Sequence, residues 1–374
     1  MAIALVGARV FDGAHMLDGR AVVVENGRIL GLPPEQDLGT GLERRRVEGL
    51  LAPGFIDVQV NGGGGVLYND VRSLEGIRTI AAAHRAYGTT GLLPTFITDT
   101  RERMAEAVEA MRVALAARVP GVLGIHLEGP FISPERKGVH DPAFMRPMED
   151  EDIAIMTSLT EGRTLVTLAP ERNSLEAIAR LAEAGVLVCA GHTAGDYATV
   201  MEAVRHGLRG FTHLYNAMPP LAGRDPGPVG AALDSPDTWC GLIVDGHHVS
   251  AAALRVAIAA KGHEHMMLVT DAMAVTGTDL TGFELHGRTI YRRDGRLTTA
   301  DGTLAGSDLD MAGAVRNSVE RLGLALPDVL RMASLIPARF LRLDHEMGRI
   351  APGYRADLVL LDEALQVKQT WIGG

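Results

Sequence analysis

Four polar residues, Glu128, His192, His213 and Asp271, each stand at the end of a short apolar run. Apolar runs of this length are typical of buried strands. Polar groups at the mouths of buried parallel strands are where barrel enzymes keep their active sites. One carboxylate, two imidazoles and a further aspartate suit a catalytic divalent metal ion with an open coordination position.

The glutamate and the two histidines have the chemistry of metal ligands. A carboxylate facing a barrel interior is costly unless it is paired or bound to a metal ion, although Glu128 in a turn could also form an ordinary ion pair. A single such histidine is more often satisfied by backbone groups. Two at successive strand ends, His192 and His213, favour ligation, because imidazole is the commonest metal ligand. His126, on the same side of its strand as Glu128, is either a supporting residue or a hydrogen-bonded core histidine.

Asp271 follows the apolar run Leu268–Thr270. A carboxylate beside a metal-bound water can take its proton and later return one to a leaving group. The alternative is that Asp271 caps a following helix. The stretch Ala272–Gly277 has little helical character, so the sequence favours the catalytic interpretation.

Other polar residues accompany these four. His248 ends the seventh strand candidate, His140 lies in a long loop after the third, and Arg224 lies in a turn-rich loop. Loop histidines and arginines are usually solvated, but an arginine can also clamp a phosphate in a bidentate manner. Gln59 and Asn61 stand at the end of the first strand candidate, and their side chains point to the same side of it. The glycines after them permit close approach of the backbone to a ligand.

The middle of the chain alternates strand-like runs with alanine-rich amphipathic stretches. The strand candidates are Phe55–Val60, Gly91–Ile97, Val122–Glu128, Leu165–Ala169, Val186–Ala190, Gly210–Leu214, Gly241–Asp245 and Met266–Asp271. The helix candidates include Leu74–Tyr87, Arg101–Arg118, Ser174–Ala184, Asp196–Arg205 and Ala251–Ala260. Eight such repeats predict an α/β protein with a TIM-like (β/α)8 barrel. An open doubly wound sheet is the alternative, disfavoured as a dinucleotide fold by the lack of a Gly-x-Gly-x-x-Gly turn.

The two ends of the chain have short strand-like segments. Those at the N-terminus are Ala2–Val10, Ala21–Glu25, Arg28–Leu32 and Arg46–Leu51, and those at the C-terminus are Asp357–Leu361 and Val367–Ile372. Neither end can form a core alone, so we expect one small β-sandwich module from residues 1–51 and 346–374. The barrel then covers residues 52–345, with a β insertion at 282–306. Asn26-Gly27 predicts a type I′ hairpin turn.

Composition excludes several functions. The chain has 374 residues and a formal charge of −10, and an acidic surface argues against nucleic acid as the main partner. The two cysteines, Cys189 and Cys240, lie in apolar runs, which predicts no disulfide framework and a cytoplasmic location. No signal peptide is recognisable and no apolar run approaches the roughly 18 residues of a membrane span.

These motifs resemble a known family. The matching stretches are His126–Phe131, Ala190–Thr193, Thr212–Met218, Asp245–Val249, Val269–Met273 and, at the C-terminus, Ala351–Val359. Together they resemble the N-acetylglucosamine-6-phosphate deacetylases of the amidohydrolase superfamily, over essentially the whole chain. The resemblance implies hydrolysis of the acetyl group from N-acetylglucosamine 6-phosphate, in amino-sugar catabolism or cell-wall recycling.

The resemblance also implies residue roles. Glu128, His192 and His213 would hold one divalent metal ion, Asp271 would act as general base and then general acid, and His140 would hydrogen-bond the oxyanion. For the sugar phosphate it points to Asn216, the Ala217 backbone, His248 and Arg224. We expect Gln59, Asn61 and His140 to bind the substrate as well. Arg224 would come from a neighbouring subunit, which implies a homodimer.

One departure from the wider superfamily bears on the metal. Many amidohydrolases have a His-x-His pair at the end of the first strand, and here the pair is Gln59-x-Asn61. Amides are poor ligands beside imidazole, so we expect one metal ion per subunit, zinc first, with iron, manganese or cobalt as alternatives.

Competing functions stay open at this point. They are a deacetylase of N-acetylgalactosamine 6-phosphate, another amidohydrolase, a barrel scaffold without catalysis and a sugar-phosphate-binding regulator. A cyclic-amide hydrolase is disfavoured because Leu168–Glu171 contains no lysine to bridge two metal ions.

Overall fold

The computed structural model describes residues 2–374. Short strands at both ends of the chain flank a long alternation of strands and helices. The strands, in chain order, are β1 (Ile3–Val6), β2 (Arg9–Phe11), β3 (Met16–Leu17), β4 (Val22–Glu25), β5 (Arg28–Gly31), β6 (Glu43–Arg46), β7 (Leu50–Pro53), β8 (Phe55–Val60), β9 (Gly62–Gly63), β10 (Val66–Leu67), β11 (Thr89–Ile97), β12 (Gly124–Glu128), β13 (Arg163–Leu168), β14 (Leu187–Ala190), β15 (Gly210–Phe211), β16 (Trp239–Leu242), β17 (Met266–Leu268), β18 (Gly282–Leu285), β19 (Arg288–Arg293), β20 (Arg296–Thr298), β21 (Leu304–Ser307), β22 (Leu358–Leu361) and β23 (Val367–Trp371).

The helices between the strands begin at residues that cap them. Ser73, Thr100, Ser174, Asp196 and Ser250 each accept a hydrogen bond from a backbone N–H in the first turn of a helix, which satisfies donors that a helix start leaves unpaired. The helices are α1 (Leu74–Arg85), α2 (Arg101–Ala116), α3 (Asp150–Met156), α4 (Leu175–Glu183), α5 (Tyr197–Arg205), α6 (Gly227–Asp234), α7 (Ala251–Lys261), α8 (Met311–Glu320), α9 (Leu326–Ala333) and α10 (Leu335–Phe340).

Eight parallel strands form the central sheet, in the order β8, β11, β12, β13, β14, β15, β16 and β17. A parallel bridge between Val60 and Ala272 and a hydrogen bond of 3.0 Å from Asp271 N to Gln59 O join the last strand to the first. The sheet is therefore a closed barrel, and the predicted fold class is confirmed. Its strands are almost entirely buried, which explains why they are continuous apolar runs.

Several predicted barrel strands were too long at the end that carries the site. The structure ends three of them at Phe211, Leu242 and Leu268, so the predicted ends at residues 214, 245 and 271 are wrong. His213 and Asp271 adopt left-handed backbone conformations, with φ of 33° and 56°. A left-handed residue turns the chain out of the extended conformation, and apolar periodicity does not reveal such a turn.

The ends of the chain form two facing sheets, one of β5, β4, β1 and β6 and the other of β23, β22, β7, β2 and β3. The prediction of single strands at Ala2–Val10 and Arg46–Leu51 was wrong, because Gly7 (φ 91°) and Gly49 (φ 132°) break each segment in two. The predicted turn at Asn26-Gly27 is confirmed by positive φ at both residues. The domain limits 1–51, 52–345 and 346–374 stay a prediction, and Met1 lies outside the described residues.

The insertion consists of β18 to β21, which form an antiparallel sheet. A parallel bridge between Ala272 and Ser307 joins its last strand to the segment after β17, which brings Leu304–Gly306 to the carboxyl end of the barrel. Cys189 and Cys240 are buried and unpaired. Within residues 2–374 no helix has the length and apolar character needed to cross a membrane.

Candidate metal centre and active site

The three predicted metal ligands meet at the carboxyl end of the barrel. Glu128 is the last residue of β12, and His192 and His213 follow β14 and β15. The Glu128 Oε1 atom lies 3.1 Å from His213 Nε2 and 3.3 Å from His192 Nε2, and the two Nε2 atoms are 3.0 Å apart. All three side chains are buried. The structure therefore brings together residues that are widely separated in the sequence.

The spacing of these three atoms fits a small divalent cation. A tetrahedral zinc ion with bonds of about 2.0–2.1 Å separates its ligand atoms by roughly 3.3–3.4 Å. The observed separations of 3.0–3.3 Å are slightly shorter. One carboxylate with two imidazoles, and an open fourth position, is a donor set used in catalytic zinc sites.

The orientation of His192 suits ligation through Nε2. Its Nδ1 lies 2.8 Å from the carbonyl oxygen of Arg136, so Nδ1 carries the proton that donates this bond. The Nε2 atom then has a free electron pair for a metal ion. The Nδ1 atom of His213 is buried and has no hydrogen-bond partner in the described part of the chain.

Left-handed backbone conformations aim the side chains inward. His192, His213 and Asp271 have φ of 49°, 33° and 56°. Such conformations cost energy in residues other than glycine and are concentrated at functional sites. Gly191 has no room for a side chain, because a Cβ atom there would lie 2.6 Å from Thr167 Cγ2.

Asp271 is held on one side only. Its Oδ1 atom accepts hydrogen bonds from Asn61 Nδ2 at 2.6 Å and from Gln59 Nε2 at 3.1 Å. Among the described residues 2–374, none donates a hydrogen bond to Oδ2. Burial, reinforced by the negative charge of Glu128, raises the pKa of Asp271 to about 6. Its carboxylate is thus ionised at neutral pH but close to the range in which it exchanges protons.

The charges of Glu128 and the two histidines depend on one another. Burial opposes the ionisation of Glu128, but the neighbouring imidazoles of His192 and His213 outweigh it and hold the pKa of this carboxyl well below its usual range. Burial also opposes protonation of His213, but its hydrogen bond to Glu128 raises the pKa of the imidazole. Glu128 is therefore a permanent negative charge at the centre of the site.

His140 lies beside the cluster. Its ring centroid is 4.4 Å from that of His192, and its Nδ1 lies 2.7 Å from Thr98 Oγ1. Glu128, His140 and His192 also offer ligand atoms within 4.8 Å of one another, so distance alone admits a second ligand set. We favour the set with His213, because its atoms are closer together and match the spacing of a bound ion.

A cavity of about 200 Å³ opens next to these residues. The predicted residues among those that line it are Asn61, Glu128, His140, His192, His213, Asn216, Ala217, His248 and Asp271. Two predicted substrate residues are not in its wall: Gln59 bonds to Glu128 and Asp271 inside the barrel, and Arg224 lies on an exposed loop. Neither prediction of substrate contact is tested by this arrangement within one chain.

His248 is held by a carboxylate. Its Nδ1 lies 2.6 Å from Asp245 Oδ2, and Asp245 Oδ1 accepts hydrogen bonds from the backbone N–H groups of His247 and His248. The Nδ1 atom therefore carries a proton, and His248 lines the cavity. His247, the other histidine of this pair, is exposed.

Several residues of the cavity wall were missed in the sequence. They include Ile97, Val139, Met273, Thr303, Leu304 and Gly306. Three of them belong to the insertion or the loop before β21, and their sequence carries no polar motif. The position of the insertion directly after the eighth strand was the one available signal that it would lie near the site.

Comparisons with known proteins agree with this geometry. The sequence profile of the Amidohydrolase family matches residues 50–374, and that of the NagA composite domain matches residues 3–51. The chain belongs to the amidohydrolase family. The family predicted from the motifs is thus confirmed, and with it the class of hydrolases that act on carbon–nitrogen amide bonds.

Relatives in this family match over nearly their whole length. An N-acetylgalactosamine-6-phosphate deacetylase of Shewanella sp. (strain ANA-3) is 42% identical, covering 98% of this chain and 94% of the relative. An N-acetylglucosamine-6-phosphate deacetylase of Haemophilus influenzae is 35% identical, covering 100% and 99%.

Solved structures of amidohydrolases share the fold. The N-acetylglucosamine-6-phosphate deacetylase of Pasteurella multocida superposes with a TM-score of 0.96 at 35% identity, covering 100% of this chain and 99% of the other. A variant of the Mycobacterium smegmatis enzyme, solved in complex with N-acetyl-D-glucosamine-6-phosphate, has a TM-score of 0.93 at 32% identity, covering 100% and 98%.

Proposed function

We propose that this amidohydrolase removes the acetyl group from an N-acetylhexosamine 6-phosphate, with N-acetylglucosamine 6-phosphate as the first candidate. The products are acetate and the amino-sugar phosphate. The observation that carries the proposal is the cluster of Glu128, His192 and His213 beside the free Oδ2 of Asp271. The deacetylases to which the chain is similar support the choice of substrate.

One divalent ion per chain, zinc first, would be held by Glu128, His192 and His213. When bound, such an ion lowers the pKa of a bound water toward about 7 and polarises a carbonyl. Iron, manganese and cobalt also tolerate this ligand set. The Gln59-x-Asn61 pair supports a single ion, because both amides already donate to Asp271.

Asp271 acts as the proton carrier. Because Asn61 and Gln59 occupy Oδ1, the opposite oxygen Oδ2 takes the proton of the attacking water. The protonated carboxyl then donates this proton to the nitrogen of the departing amine, because an unprotonated amine is a poor leaving group. His140 hydrogen-bonds the acetyl oxygen as negative charge develops on it.

The sugar phosphate is held on another side of the cavity. His248 lines the cavity, and because its Nδ1 is engaged by Asp245, Nε2 is the ring nitrogen left to contact the phosphate. Asn216 and the backbone of Ala217 line the same cavity, and Asn61 borders the reacting end. These groups supply directional contacts, and an arginine adds the charge that a phosphate dianion requires.

A homodimer would supply that arginine. Arg224 is exposed on a loop that also carries the exposed Leu221, 51% accessible. This loop follows Asn216 and Ala217 of the cavity wall closely in sequence. In the proposed dimer, Arg224 of one subunit reaches the phosphate bound in the other. The cytoplasmic location predicted from the cysteines remains part of the proposal.

The galacto epimer is the second candidate substrate. The observation that favours it is the 42% identity to an N-acetylgalactosamine-6-phosphate deacetylase. The two substrates differ in the configuration of one hydroxyl group, so the metal site and Asp271 serve both equally. Discrimination depends on polar groups of the cavity that meet that hydroxyl.

The test is acetate release from N-acetylglucosamine 6-phosphate, run beside the galacto epimer and the unphosphorylated sugar. We expect fast turnover of at least one phosphorylated sugar and a kcat/KM at least tenfold lower without the phosphate. Absence of turnover for both phosphorylated sugars, in protein that has bound metal, would refute the substrate class.

Mixing of two impaired variants, assayed at a substrate concentration well below KM, tests the shared site. Arg224→Ala keeps the base and Asp271→Asn keeps the arginine, so a mixed dimer regains one complete site only if Arg224 acts across the interface. With random exchange, about a quarter of all sites should recover. No recovery on mixing, with exchange verified by differently tagged chains, would contradict the arrangement.

A further inference from the structure

Thr98 is a buried residue next to His140 that the proposed reaction does not yet use. It follows the last residue of β11 and is 0% exposed. Its Oγ1 lies 2.7 Å from His140 Nδ1 and 3.5 Å from the backbone oxygen of Glu128. Among residues 2–374 these are its two hydrogen-bond partners. The pair was not apparent in the sequence, because Thr98 and His140 come from different loops.

The position of the hydroxyl proton follows from these two distances. Bonds between a hydroxyl and an oxygen are normally about 2.5–3.0 Å long, so the contact with the Glu128 oxygen is too long to satisfy a buried donor. The contact with His140 Nδ1 has a normal length. If Nδ1 carried the proton instead, the Thr98 hydroxyl would be left with only the long contact, which costs free energy in a buried site.

We propose that Thr98 is a positioning residue that donates its proton to His140 Nδ1 and thereby fixes the ring as the tautomer protonated at Nε2. The partner of one ring nitrogen sets which nitrogen carries the proton. His140 Nε2 then presents an N–H to the cavity. Resting on the proposed function, this makes His140 a hydrogen-bond donor to the acetyl oxygen.

The same tautomer excludes His140 from the metal. An imidazole nitrogen that carries a proton has no free electron pair for a cation. Of the two ligand sets compatible with distance, the one that contains His140 is therefore ruled out by Thr98, and the one that contains His213 remains. His192 shows the opposite pattern, since its Nδ1 donates to Arg136 O and leaves Nε2 free.

Two substitutions isolate the hydroxyl. Thr98→Val keeps the shape and removes the donor, whereas Thr98→Ser restores the donor. Thr89→Val is the matched control, because Thr89 is a buried threonine of β11 whose hydroxyl has no hydrogen-bond partner within residues 2–374. Each variant is checked for zinc content, which should equal that of the wild type if the change leaves the ligands intact.

The direct measurement is nuclear magnetic resonance of the ring nitrogens in protein with 15N-labelled histidine. The chain has 13 histidines, so the signals of His140 are assigned as those absent from His140→Asn. We expect a protonated Nε2 in the wild type, in the serine variant and in Thr89→Val. In Thr98→Val we expect a mixture of tautomers. This readout requires no substrate, so it stands even if the proposed substrate is wrong.

Kinetics supply the second readout. Removing one oxyanion donor from an enzyme lowers kcat by about 10²–10³-fold. Thr98→Val keeps the His140 ring and loses only its fixed tautomer, so kcat should fall about tenfold, with little change in KM. In a His140→Ala background, Thr98→Val should have no further effect on kcat. A merely structural role would instead lower activity by the same factor in both backgrounds.

Three results would overturn the proposal. They are a wild-type His140 protonated at Nδ1, loss of bound zinc in His140→Ala, and equal effects of Thr98→Val with and without His140.

Discussion

Replacing Asn61 with leucine removes the shortest hydrogen bond to the proposed general base. Asn61 Nδ2 lies 2.6 Å from Asp271 Oδ1, and the second donor, Gln59 Nε2, lies at 3.1 Å. Asn61 is 5% exposed, so water cannot easily replace its amide. Leucine has a similar size and no polar atom. The substitution therefore tests whether this contact keeps Asp271 ionised at neutral pH.

The size of the effect follows from the strength of such a bond. A hydrogen bond to a charged group contributes about 1.5–3 kcal/mol, and about 1.4 kcal/mol corresponds to one pKa unit. Loss of the bond should therefore raise the pKa of Asp271 by roughly one to two units. Starting from a pKa of about 6, this moves it into the neutral range.

The assay is the pH dependence of kcat between pH 5 and pH 9. A base works only when ionised, so activity falls as pH drops through its pKa. The acidic limb of the variant should lie about one to two pH units above that of the wild type. At pH 7 this lowers kcat about 2- to 10-fold, with recovery at pH 9. An unchanged limb would refute the assignment of Asp271 as the base that Asn61 holds.

Three further predictions follow from the site. Asp271→Asn should lower kcat by about 10²–10⁴ while zinc content stays normal, and the exposed Asp279→Asn serves as control. If Asp271→Asn kept most of its activity, Asp271 would not be the general base. Arg224→Ala should raise KM for the phosphorylated substrate alone, and an equal rise for the unphosphorylated sugar would argue against phosphate binding. Burial raises the pKa of Asp57 to about 7, so the folded state binds more protons there than the unfolded state between about pH 4 and 7, and stability falls as pH rises. Urea unfolding of metal-free Asp57→Asn should show a weaker decline over that range, and parallel curves would contradict it.

The barrel could be predicted from the sequence, and so could the meeting of Glu128, His192 and His213 at its mouth. Buried strands need apolar side chains on both faces, so runs such as Gly124–Leu127 stand out locally. A polar residue at the end of such a run, such as Glu128, is predicted to lie at the mouth of the barrel. The order of strands then follows from the alternation with helices, because parallel neighbours need a crossover.

Contacts between loops could not be predicted in this way. Thr98 and His140 meet because two loops fold over the barrel mouth, and no local pattern links them. The left-handed conformations of His213 and Asp271, which shorten their strands, also depend on the surrounding packing. The wall formed by Thr303–Gly306 comes from an insertion whose residues carry no chemical signature. In the proposed dimer, the site that Arg224 reaches lies in a second chain, which the sequence of one chain does not reveal.

The most direct test of the central claim is titration of metal-free protein with zinc while acetate release from N-acetylglucosamine 6-phosphate is followed. One ion held by Glu128, His192 and His213 predicts activity that rises linearly and stops rising at one equivalent per chain. The His192→Asn variant should stay inactive throughout. Full activity without metal, or a rise that continues to two equivalents, would contradict a single-metal deacetylase.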